Sequence, residues 1–126
     1  MARFFLIIAA VSGFFAVVIG AFAAHGLKQT LAPAALDVVT GVQYQMYHAL
    51  ALLLVGLWLS YKPAAPGLKP CGLAFILGSL LFSGSLYALA MGAPRWLGPV
   101  TPLGGLCFLI GWLLLLSVAW RTESTC

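Results

Sequence analysis

Four membrane-spanning helices in a single domain are what this sequence predicts, and three observations carry the prediction. Of its 126 residues 63% are hydrophobic and only 6% are charged, against about 25% charged in a soluble domain. The mean hydropathy is +1.12, so the surface has to face lipid. Four apolar stretches are long enough for the job, since a helix crosses a hydrocarbon core of about 30 Å with about 20 residues. The expected fold class is therefore all-α: an integral membrane four-helix antiparallel bundle with both termini cytoplasmic. No linker or low-complexity tract divides residues 1–126.

The first span is placed at about 4–24, because Phe4–Ala24 carries no charge. Arg3 followed by an apolar run and "AFA" at Ala21–Ala23 also fits a secretory signal. Such a signal has an apolar region of only about 7–15 residues, so a retained span is expected. The second span, 42–61, is cleanest from Met46 to Ser60 and needs a polar preface to reach full length. Pro33 could start this helix early, with its first turns at the headgroups. The third span is 71–91, again without a charge, and the fourth is 103–120. Thr101-Pro102 reads as a helix start, Thr as N-cap and Pro at the first helical position.

Lys and Arg in short loops set orientation. With four spans, Arg3, Lys62, Lys69 and Arg121 share one side, and Lys28 and Arg95 the other. The first side is expected to be cytoplasmic. The net charge of +4 is spread thinly over loops; it suggests anionic lipid headgroups and no nucleic acid. Cys71, Cys107 and Cys126 show no CxxC spacing and read as packing or tail residues.

Helices in lipid associate through small residues that let backbones approach. Ala9, Gly13, Ala16, Gly20 and Ala24 form such a stripe on the first span. Gly84, Ala88 and Gly92 repeat it on the third, and Gly104, Gly105 and Gly111 mark the fourth. These surfaces would serve packing within the chain, a homo-oligomer or a larger membrane complex.

The candidate site is a polar cluster in the non-cytoplasmic half. At about 100° per residue, Gln43, Tyr47, Tyr44 and His48 fall in one arc of about 140° on the second helix, with Gln45 and Met46 pointing elsewhere. His25, at the exit of the first span, and Ser83 and Tyr87, late in the third, arrive at the same end. Together they could bind the polar head of a lipid, quinone or other amphiphile, or simply hold the helices in register.

The sequence argues against other chemistry. A metal site wants three or four ligands, whereas only His25 and His48 converge. No span carries an Asp, Glu, Lys or Arg of the kind that marks an ion path. Asp37 and Glu123 lie on opposite sides and cannot act as an acid/base pair. No cofactor and no enzymatic activity are expected.

"SGFFAVVIGAFAAHGLK", "VQYQMYHALALL", "LFSGSLYALA" and "GPVTPLGGLCFLIGW" resemble, in the same order, the small four-helix membrane family that includes bacterial YgdD and animal transmembrane protein 256. The resemblance spans roughly residues 4 to 118. Typical members read G-A-F-G-A-H, where this chain has Ala23 at the second glycine. It implies a multi-pass protein of the bacterial inner membrane, or of a mitochondrial membrane in a eukaryote. It implies no activity and supplies no catalytic residues. An accessory or structural membrane component is the leading expectation, and an amphiphile binder the alternative.

Overall fold

The chain is all-α. A computed structural model describes residues 1–22, 32–92 and 94–122, with the side chains of 32–37 and 95 set aside. Helix α1 runs Ala2–Phe22, α2 Ala32–Tyr61, α3 Leu68–Ala90 and α4 Val100–Arg121, with a 3-10 turn at Arg95–Leu97 before α4. All four are long and apolar enough to cross a membrane. The second is longer than its expected span, since α2 opens at Ala32 and its apolar part runs Val38–Tyr61. Its early start follows from Pro33, which fits a first turn that has no partner for its N–H.

The helix ends show why the boundaries differ from the expected ones. α3 begins behind Gly67 at φ 97 and stops before Gly92 at φ 93. Both glycines adopt the left-handed conformation that favours this residue. Thr101 does not cap α4. The cap is Pro99, one turn of chain starts at Val100, and the Thr101 hydroxyl instead meets Ser85 at 2.5 Å. A hydroxyl deep between two helices is better used across the seam than along its own axis.

Each helix packs on its neighbour in sequence: α1 on α2, α2 on α3, and α3 on α4. Along the first seam Leu6 touches Gly56, Ser12 meets Gln45, and Gly20 lies beside Val42. Along the third, Val118 sits over Gly67, Phe75 beside Gly111, Phe108 on Gly78, and Thr101 at Ser85. Numbers rise along one helix as they fall along the next. At the end that holds the first turns of α1 and α3, Phe5, Val55, Leu59, Leu68, Cys71 and Phe75 belong to one buried apolar core. Phe5 reaches across from α1 into the space that Gly72 of α3 leaves open.

The glycines that matter for this packing are only partly the expected ones. Gly104 presses on the backbone of Phe82, and Gly20 gives 3.3 Å to Val42. Gly13 and Gly84 have nothing within 4 Å of where a Cβ would stand, and Gly105 only Phe82 at 4.0 Å. Gly111 is tight against Phe75, and the other close contacts fall at Gly41, Gly56, Gly72 and Gly78, each against a larger side chain of another helix. In the α1 stripe the alanines take the buried positions, Ala9 and Ala16; Ala24 lies outside the described residues.

Candidate functional site

The interior of α2 follows one face: Val38, Gly41, Gln45, His48, Ala49, Leu52, Val55 and Leu59 are all buried. These steps of three, four and seven are the stripe of a helix turned to its neighbours. The apolar lower part of the helix fixes that face, and the polar upper residues inherit it.

Gln45 is therefore inside, only 8% exposed, although the arc of polar residues had turned it away. Its amide nitrogen donates to the Ser12 carbonyl of α1 at 2.8 Å, and its carbonyl accepts from the Tyr87 hydroxyl of α3 at 2.6 Å. One side chain thus ties three helices. Ser83 donates to the Gly41 carbonyl at 2.7 Å, a contact that the ring of Tyr87 helps to close by lying where a Cβ of Gly41 would stand.

His48 is 4% exposed and both of its ring nitrogens are engaged. Nδ1 lies 2.8 Å from the Tyr44 carbonyl, and Trp112 Nε1 donates to Nε2 at 2.9 Å. A carbonyl only accepts and an indole N–H only donates. These partners fix the neutral tautomer with its proton on Nδ1. The ring stacks on Phe108 with centroids 3.6 Å apart and planes 5° off parallel. Phe75 and Trp112 close the remaining sides.

Of the expected cluster, then, the structure brings together His48, Ser83 and Tyr87. Gln43 is exposed, and Tyr47 is 55% exposed on the outer surface. Tyr44 is half-exposed, with its ring against Phe82 and its carbonyl, not its hydroxyl, serving His48. His25 lies outside the described residues. Gln45, Trp112 and Ser12 were missed. The first two could have been found by extending the apolar face of α2 upward and asking what on α4 a buried imidazole would meet.

Beside this knot lies a groove of about 410 Å³ between α1 and α3, with α2 as its floor. Ser12 and Ile19 stand on one wall, Ser79 and Gly84 on the other, and Gln45 and Ala49 between them. It exists because α1 and α3 meet chiefly where Phe5 packs on Gly72, with small residues above. Among the described residues no three His, Cys, Asp or Glu side chains come together. Cys71 is buried and its thiol donates to the Gly111 carbonyl at 3.2 Å.

Four apolar helices with a polar knot at their interior define a class: a small multi-pass integral membrane protein. Comparison with known proteins agrees. Residues 19–105 match the family model described as a protein of unknown function, DUF423. A UPF0382 membrane protein of Haemophilus influenzae is 44% identical over 121 residues, covering 95% of this chain and 96% of the relative. YwdK of Bacillus subtilis, a UPF0382 membrane protein, is 40% identical over 93% of this chain and 96% of its own length. YgdD of Escherichia coli K12, a UPF0382 inner membrane protein, is 40% identical over 96% and 92%. The chain belongs to this DUF423 family of membrane proteins. No solved structure matches it.

Proposed function

We propose that this protein is a non-catalytic accessory component of the membrane, working through helix contacts with a second copy or a larger complex. Its form in this reading is an antiparallel four-helix bundle with both termini in the cytoplasm. The single observation that supports it best is that the buried polar side chains of the knot are spent within the fold. Gln45 uses both ends of its amide and His48 both ring nitrogens. Groups committed in this way hold helices in register and are not free to take up a proton or a reacting atom. The opposed numbering along the seams supports the antiparallel arrangement. The outer face of α1, with Phe14, Phe15, Val17 and Phe22 exposed, is a surface left for another protein.

Extraction of the full-length protein in polymer-bounded native membrane discs, followed by native mass spectrometry, tests the reading. A second copy or another membrane protein at fixed stoichiometry is expected. A lone chain with bulk lipid would sink it. The amphiphile-binding alternative rests on a different feature, the open groove beside the knot.

A further inference from the structure

Two hydroxyls in the groove have no use within the fold. Ser12 and Ser79 line opposite walls and are each half-buried. Ser60, Ser85 and Ser117 hydroxyls bond carbonyls of their own helices, whereas those of Ser12 and Ser79 are unpaired among the described residues. No side-chain nitrogen or oxygen there is both sealed off and without a partner. The two hydroxyls therefore reach open space. Each stands near the middle of its helix, Ser12 in Ala2–Phe22 and Ser79 in Leu68–Ala90, roughly 15 Å from either end at 1.5 Å per residue.

We infer that the groove is a binding site for a neutral amphiphile: an apolar tail with an uncharged head that offers carbonyl or hydroxyl oxygens, as quinones and long-chain alcohols do. The volume of about 410 Å³ is in the range of small-molecule sites, about 300–1,000 Å³. The walls are supplied by Ile8, Leu52, Ile76 and Leu80, which suit a hydrocarbon tail. The head is neutral because, among the described residues, no Asp, Glu, Lys or Arg lines the groove and the nitrogens of His48 are taken. A charge at mid-depth would have no counter-charge there. The head carries acceptor oxygens because what faces it is a pair of donors. Entry is sideways from the lipid, between α1 and α3, where the groove is half-enclosed. Gly84 has nothing within 4 Å of a potential Cβ and faces this space, so the room is real and can be filled without disturbing a helix contact.

The test uses the full-length protein in discs of phosphatidylethanolamine and phosphatidylglycerol, titrated with decyl-benzoquinone. Quenching of Trp112, whose indole bonds the His48 ring at the groove floor, is the readout, in a full-length background carrying Trp58→Phe, Trp96→Phe and Trp120→Phe. Saturation at one quinone per chain is expected, with displacement by decanol and none by decyl sulfate. The double substitution Ser12→Ala with Ser79→Ala should weaken binding roughly tenfold, the loss of two membrane hydrogen bonds. Gly84→Leu should abolish it, while Gly13→Leu, at a glycine with equally open surroundings but outside the groove, should leave it intact. Should Gly84→Leu fail to fold, the serine pair decides. Quenching that rises linearly and alike in all variants overturns the site. So does saturation that survives both Gly84→Leu and the serine pair, or equal displacement by decyl sulfate. A phospholipid acyl chain that holds the groove against added quinone overturns the neutral-head assignment too.

Discussion

His48 shows what a polar residue has to do to live at this depth. A buried imidazole needs a donor and an acceptor, and here they come from two helices: the Tyr44 carbonyl of its own α2 and Trp112 of α4. Removing one partner strands the other, which costs more than removing both. His48→Leu and Trp112→Phe should each lower stability by about 1–2 kcal/mol, and the double variant by clearly less than the sum. Unfolding in mixed micelles, followed by circular dichroism, measures the cycle; strict additivity would mean that the bond contributes nothing. His48, Ser83 and Tyr87 stand out in the sequence as polar groups in apolar runs, and the structure brings them to one groove. Gln45 does not stand out. The polar residues alone give the wrong helical face, because Tyr44 and Tyr47 draw their arc outward, toward the surface where a tyrosine is at ease. The true face was written in the apolar residues one and two turns further on.

Between helices, contact depends on what faces a glycine more than on the glycine. Gly104 meets the main chain of Phe82, which cannot swing aside, whereas Gly13 meets nothing. Gly104→Val is expected to destabilise by about 1–3 kcal/mol through overpacking, and Gly13→Val to stay within about 0.5 kcal/mol, as an open site allows. The same unfolding assay compares them; equal effects would show that the seam between α3 and α4 yields easily. The number of the membrane-length helices was legible, because hydropathy over twenty residues integrates many small signals; the early start of α2 at Ala32 was not. Which small residue faces which neighbour was not. Steps of four mark a stripe, but a stripe does not say whether a Phe stands opposite. Gly72, Gly78 and Gly111, each filled by a ring from another helix, follow no single run within one helix. The start of α4 was misjudged for a related reason: Thr101 suits a cap locally, and a partner on α3 outweighs that local preference.

For the whole molecule, the loops decide how it sits. Lys62, Lys69 and Arg121, with Arg3, gather at the end where Phe5, Leu59 and Leu68 form the apolar core. The knot of Gln45 and Tyr87 lies toward the opposite end. The proposed cytoplasmic placing of the basic end predicts that a fluorescent protein fused after Cys126 fluoresces and that an alkaline phosphatase fused there is inactive. An active phosphatase would reverse the orientation and place the knot at the cytoplasmic end.

The main seams join helices that are consecutive in the chain, with α4 also closing on α2 through Trp112 and Phe108 at His48, and this has a consequence for biosynthesis. As each segment leaves the ribosome and enters the bilayer, most of the surface it packs on has already been made. Gln45 illustrates the order: on arrival it finds the Ser12 carbonyl in α1, and its second partner, Tyr87, follows with α3. A nascent chain of this kind grows by accretion, one hairpin edge at a time. What waits for a later helix is a single bond at a time, Tyr87 for Gln45 and Trp112 for His48.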